Sequence, residues 1–234
     1  SCQAAANSPR SFSVADFSGS YAPHEVSLLL RAVHVQDTPV AEKEANIASG
    51  RKHYSEMLTL ESAPSQERLH AFRRACALCL PRMAGDCSMM AKHLADTAPS
   101  IGGKPKRAIV SLVRAGLPVG VVVTGLLRKM GIKTQHYGIS VVRDKGVDEA
   151  ALDHIRERHA DSEVVFVDGW TGKGVIASTM RNFVARYNAT HKADLPLGIH
   201  VLADICGAAA WSASSEDWLI PSSVLNSTVS GLVS

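Results

Sequence analysis

The chain has 234 residues, 46% of them hydrophobic and 20% charged, with a formal net charge of +3. That is enough apolar material for one large core or two small ones, and too little charge to imply a nucleic-acid partner by itself. Its apolar runs, such as Val119 to Val123 and Val164 to Val167, fall far short of the roughly 20 residues that a membrane-spanning helix needs.

In chain order, residues 1–20 are rich in Ser, Ala and Asn and read as a loose arm with too little apolar surface to offset the cost of ordering. They carry neither the basic nor the apolar region of a secretory signal. Residues 21–103 have a helical period. Val26, Leu29, Leu30 and Val33 make one stripe; Thr38-Pro39 then gives a helix start and Gly50 a stop. Leu69, Phe72, Cys76, Cys79 and Leu80 make a second stripe, expected to break around Pro81 and Gly85. Met89, Met90, His93 and Leu94 then begin a further helix that ends near Pro99.

From residue 104 to 234 the texture changes to short apolar runs alternating with helix-period segments, the pattern of an α/β fold with a doubly wound, mostly parallel sheet. Strands are expected at Ala108 to Val113, Thr134 to Val142, Val164 to Val167 and Gly198 to Ala203, with helices beginning near Pro118, Val147 and Lys173. The buried faces of the last two helices are Leu152, Ile155 and His159, then Ile176, Met180, Phe183, Val184 and Tyr187. The last six residues, Val229 to Ser234, end in apolar sequence without turn punctuation, as if the natural protein continued. Five cysteines without the spacing of a disulfide framework suit a reducing compartment, so a cytoplasmic protein is expected.

Ligands of open parallel sheets bind outside the carboxyl ends of the strands, so the residues after each strand carry the functional expectation. These are Arg114-Ala115-Gly116, Arg143-Asp144-Lys145-Gly146, Asp168 to Gly174, and Asp204-Ile205-Cys206-Gly207. The third is the most specific. An apolar strand ending in Asp168, followed by Thr171-Gly172-Lys173-Gly174 and a helix, supplies close backbone N–H groups, a hydroxyl, a cation and a helix dipole, all suited to phosphate. It is not a Walker A loop, because Gly174 stands where that motif needs Ser or Thr and the earlier glycine is missing. Read alone, the segment also fits a plain glycine turn with Asp168 as a cap. Arg114, Arg143 and Lys145 fit solvated charge as well as a polyanion contact, and Asp204 fits a ligand as well as a cap.

Two long motifs, Tyr137 to Gly146 and Phe166 to Gly174, closely resemble the predicted phosphoribosyltransferases of bacterial stress and tellurite-resistance operons, a family also called cysteine protease StiP. The resemblance runs nearly end to end, through Phe17 to Tyr21, Gly50 to Met57, Ser111 to Gly116 and Ile220-Pro221-Ser222. It implies a type I phosphoribosyltransferase-like fold, with residues 21–103 carrying an acceptor-binding hood, and a role in making a nucleoside-like compound linked to stress. By the same resemblance Asp168 serves the ribose hydroxyls or acts as a base, Thr171, Gly172, Lys173 and Gly174 hold the 5′-phosphate, and Arg114, Ala115 and Gly116 hold the diphosphate. Arg143 and Lys145 join Arg114 in stabilising the leaving group with Mg2+, while His53, Tyr54, Trp170 and Asp204 are candidates to touch substrate. The implied partners are phosphoribosyl diphosphate or a related ribose phosphate, an acceptor these residues do not name, a second copy in a homodimer, and RNA only through a Pelota-type domain past Ser234. One departure stands out: well-studied relatives carry two adjacent acids at this strand end, whereas Asp168 is followed by Gly169 and Trp170.

Two other classes stay open. A cysteine protease would use Cys206, the cysteine on a sheet-end loop, yet nothing beside it in sequence resembles an activated nucleophile. A non-catalytic nucleotide-binding regulator would keep the loop and dispense with the second acid. Cys76, Cys79 and Cys87 lie on or beside an apolar stripe and read as small buried hydrophobes; a metal site at Cys76 and Cys79 lacks a second ligand pair.

Overall fold

The structure, a computed structural model, describes residues 17–30, 49, 63–142 and 146–225. In chain order its elements are β1 (Ser27–Leu28), α1 (Gln66–Asp96), β2 (Ser100–Ile101), β3 (Lys104–Val113), α2 (Gly116–Lys129), β4 (Lys133–Val142), β5 (Gly146–Val147), α3 (Glu149–Arg156), β6 (Val164–Val167), α4 (Val175–His191), β7 (Ile199–Ala203) and β8 (Trp211–Ser214). The main sheet runs β1-β4-β3-β6-β7-β8 and these neighbours are parallel, with β2 and β5 added antiparallel to β3 and β4. The expected α/β fold with a doubly wound, mostly parallel sheet is therefore present.

Alternation along the central strands sends successive side chains to opposite faces, and both faces are covered. Ala108, Val110, Leu112, Val164 and Phe166 pack with Leu152 and Ile155 of α3 and Met180, Val184 and Tyr187 of α4. Ile109, Val165 and Val167 point the other way, onto Met83, Cys87, Met90 and Leu94 of α1 and Val119, Val123 and Leu127 of α2. The chain leaves β3 through α2 to reach β4 on one side, then returns through α3 to β6 on the other. The strand order therefore reverses between β3 and β6, which opens a crevice at their carboxyl ends.

Two expectations fail in the first hundred residues. Val26 to Leu30 is not helical: Ser27 and Leu28 pair in parallel with Tyr137 and Gly138, and the Leu29 N–H donates to the Gly138 carbonyl at 2.8 Å. Short apolar runs satisfy either period, and here an open sheet edge supplied the partner. The helix expected to break at Pro81 instead runs unbroken from Gln66 to Asp96, started by the Ser65 hydroxyl accepting from Arg68 N at 3.1 Å. Pro81 lies on the exposed face, while the buried positions Ala75, Met83, Cys87, Met90 and Leu94 keep one continuous stripe. This helix, from the region expected to form a hood, is a layer of the core. The later elements match closely, with helix starts at Gly116, Glu149 and Val175 instead of Pro118, Val147 and Lys173. The helix start at Thr38-Pro39 and the stop at Gly50 lie outside the described residues.

Candidate anion-binding site

The crevice between β3 and β6 brings the first and third loops into contact through glycines. A β-carbon at Gly116 would lie 2.4 Å from the Val167 carbonyl oxygen and 3.2 Å from Asp168 Cα. One at Gly169 would lie 3.3 Å from the Ala115 carbonyl oxygen. Glycine at 116 and 169 thus lets the Arg114-Ala115-Gly116 turn rest against the strand end that carries Asp168. The peptide bond between Val113 and Arg114 is cis, and Arg114 is half-buried at the mouth of the crevice.

Asp168 is buried, with its Oδ1 accepting from the Gly169 N–H at 2.7 Å. Burial pushes its carboxyl up to about 7, and that single hydrogen bond offsets the effect only in part. After it, the Thr171 N–H donates to the Ala203 carbonyl at 3.1 Å and the Gly174 N–H to the Thr171 carbonyl at 2.9 Å, closing a tight turn. Gly172 and Gly174 take left-handed backbone, φ 54° and 81°, as a side chain would resist. Gly174 is also the N-cap of α4, which has no side-chain cap and no acidic residue in its first turn. The leading N–H groups of α4 therefore lack a side-chain acceptor, the condition in which a helix start receives an anion. Lys173 is exposed beside them and lines a cleft of about 420 Å3 along α4 with Asn182 and Arg186.

The Thr171 hydroxyl, expected to face an anion, instead donates to Asp204 Oδ1 at 2.8 Å. Asp204 is a cap: its carboxylate also accepts from the N–H groups of Cys206 (3.3 Å), Ala208 (3.2 Å) and Ala209 (2.9 Å). Burial alone would raise the Asp204 carboxyl, but the bonds from Ala209, Thr171, Ala208 and Cys206 outweigh it and hold the group down at about 2. Trp170 is half-buried and packs against the core beneath α1 and α2. Arg143, Lys145, His53 and Tyr54 lie outside the described residues.

Cys206, which the sequence placed on a sheet-end loop, touches this turn, and Trp218 and Leu219, which sequence reading missed, lie beside it. Cys206 is exposed, and its Sγ donates to Thr171 Oγ1 at 3.5 Å and to Asp204 Oδ1 at 3.6 Å; it is also 3.2 Å from where a β-carbon at Gly174 would stand. Among the described residues, no histidine is among its partners. Trp218 and Leu219, apolar residues just after β8, border a second cavity that includes Trp170 and Gly172. The apolar run Trp218 to Ile220, which follows the acidic pair Glu216-Asp217, was the available signal for it. Cys76 and Cys79 are half-buried on α1, and burial pushes the Cys87 thiol up to about 12. Among the described residues, no group of three or more His, Cys, Asp or Glu side chains could hold a metal ion.

The model of a family described as tellurite-like stress resistance cysteine protease StiP matches residues 19–234. The chain belongs to the StiP family. A curated StiP relative, named cysteine protease StiP, from Acinetobacter baylyi, is 43% identical over 218 residues, which are 93% of this chain and 55% of that protein. The chain thus spans about half the length of the StiP relative it matches. Among solved structures, a Trypanosoma cruzi hypoxanthine phosphoribosyltransferase complexed with IMP is similar at a TM-score of 0.39 and 14% identity, over 56% of this chain and 66% of that one. A hypothetical protein from Neisseria gonorrhoeae with bound ppGpp is similar at a TM-score of 0.39 and 16% identity, over 59% and 81% of the two chains. Among the described residues of this StiP family member, no helix is long and apolar enough to cross a membrane.

Proposed function

We propose that the chain binds a phosphorylated ribose at the crevice between β3 and β6 and acts as a phosphoribosyltransferase on phosphoribosyl diphosphate, making a nucleoside-like compound. The observation that carries this is the glycine turn from Thr171 to Gly174, which presents the uncapped start of α4 next to a single buried acid at the strand-order reversal. The 5′-phosphate takes the α4 N–H groups and Lys173. The diphosphate takes Arg114 and the backbone of Ala115 and Gly116. In the reaction the acceptor's lone pair forms a bond to ribose C1 as the C1–O bond breaks and its electrons leave with diphosphate; the acceptor's proton passes to a base.

Asp168 supplies the acid or base function. A carboxyl that titrates near 7 exists in both protonation states at neutral pH, as proton transfer requires. With Gly169 beside it and Asp204 committed to capping, Asp168 is the carboxylate that the described residues of the first and third loops offer to the ligand. Mg2+ would be held by the oxygens of the substrate's own diphosphate, where it would neutralise charge on the leaving group and leave Asp168 free to exchange its proton. We place this activity in the cytoplasm, where the unpaired thiols stay reduced. A homodimer and a downstream RNA-binding domain remain part of this proposal.

Titration calorimetry with ribose 5-phosphate tests the reading. Gly172→Val should weaken binding more than Lys173→Ala, because removing the lysine forfeits one charge-assisted contact, about 1.5 to 3 kcal/mol, and leaves the backbone donors in place. Unchanged affinity in both variants would remove the site. A second reading, cysteine protease, is favoured by the exposure of Cys206 at this same loop. Among the described residues no histidine contacts the thiol, and assays of both activities in Cys206→Ala separate the two.

A further inference from the structure

We propose that the cavity between Trp170 and Trp218 receives a planar nitrogen heterocycle bearing an exocyclic amino group, the portion of the ligand next to the ribose phosphate. This rests on the phosphate-loop reading above and names the class of acceptor. The cavity measures about 420 Å3, within the range of small-ligand sites, and Gly172 belongs both to it and to the turn that starts α4. A ligand phosphate at the turn therefore has this cavity beside it.

The walls suit a flat ring. Trp170, Trp218, Ile205 and Leu219 line the cavity, and Ile205 and Leu219 remain 51% and 50% exposed. Trp218 is fixed from α1: the Arg82 guanidinium lies 4.8 Å over its ring, bonded at the same time to Glu216 at 2.7 Å and to the Ser214 hydroxyl at 2.9 Å. A ring held this way is oriented before any ligand arrives, which lowers the ordering cost of stacking on it. Among the described residues the Trp218 Nε1–H, on the buried side of the ring, has no hydrogen-bond partner. Asp217, which is exposed, is the charged residue of the lining. Its carboxylate accepts from an amino group and repels a ring carbonyl.

The test is calorimetry on the full chain with ribose 5-phosphate, AMP, GMP, CMP and UMP. AMP, GMP and CMP should bind about tenfold more tightly than ribose 5-phosphate, in line with the stacking of a base on an aromatic side chain, and UMP should gain less. Asp217→Asn should erase the preference for amino-bearing bases, and Trp218→Phe should shrink the gain of all four, with ribose 5-phosphate affinity as the folding control. Equal affinity for all five ligands would overturn this inference and leave the phosphate site standing. Failure of every phosphate ligand to bind would overturn the phosphate site. Tryptophan fluorescence with adenosine, cytidine and uridine would then judge the cavity alone: quenching by adenosine and cytidine over uridine supports it, and no quenching overturns it.

Discussion

Replacing Asp168 by Asn separates what this residue costs the fold from what it does in the site. Burial moves its carboxyl from 3.8 to about 7. The unfolded chain therefore releases this proton near 3.8, whereas the folded protein keeps it until about 7. Between those values the unfolded state binds fewer protons, so stability falls as pH rises through the window, and the loss is complete above it. A rise of this size corresponds to about 4 kcal/mol, an upper figure for a group that still touches solvent. Asparagine keeps the shape and the acceptor for Gly169 N–H but does not titrate. Urea unfolding at about pH 4, 6 and 8 should thus show wild type and Asp168→Asn nearly equal in acid, with the variant gaining progressively up to about 4 kcal/mol at the alkaline end. The same variant should lose turnover of phosphoribosyl diphosphate, as expected when a site residue is held at a cost in stability. Parallel pH profiles for the two proteins would refute the burial argument, and undiminished turnover would refute the catalytic one.

The glycines of the turn should differ in cost. Gly174→Ala meets both a left-handed backbone and contacts at 3.2 Å and 3.3 Å from Cys206 and Ala208, whereas Gly172→Ala has nothing within 4 Å and bears only the backbone term of about 1 to 2 kcal/mol; calorimetric melting should show the lower Tm for Gly174→Ala, and the reverse order would contradict the geometry. Asp204→Asn should destabilise by about 2 to 4 kcal/mol, because the carboxylate accepts from three backbone N–H groups and Thr171. Its folded carboxyl lies below the unfolded one, so this contribution is fully present above 3.8 and fades as pH falls through about 2; an Asn variant as stable as wild type at neutral pH would deny the capping role. Cys206→Ser should leave ribose 5-phosphate affinity within about twofold, since its neighbours are held by Asp204, not by the thiol. Abolition of a measurable peptidase activity in that variant would instead favour the protease reading.

The parallel core was legible because its strands carry their own signal. Val164 to Val167 is a strand at the expected bounds, apolar at every position because helices cover both sides. The strand expected from Ala108 begins at Lys104, and the missing residues explain the gap. Lys104 to Arg107 is polar, and buried Arg107 is tolerated there because its guanidinium reaches the Leu94 and Ser162 carbonyls and the Thr97 hydroxyl. Those partners come from α1 and from the loop before β6, so no local pattern could announce them. Pro81 misled for the opposite reason, since a strong local signal was overruled by a stripe of core contacts around it.

The site was legible as a set of loops but not as an arrangement. Glycine next to a charge after each strand pointed to the sheet end, and the turn from Thr171 to Gly174 has the backbone its glycines implied. What sequence could not supply is which donors are already used. Thr171 looked like a ligand for phosphate until Asp204, thirty-three residues later, took its hydroxyl. Gly169 looked like the loss of a catalytic acid. In the fold it is where the backbone of Ala115 passes, 3.3 Å from the position of a β-carbon. A side chain there would push the first loop away from Asp168. The absence of a second acid and the closeness of the two loops are thus one structural fact.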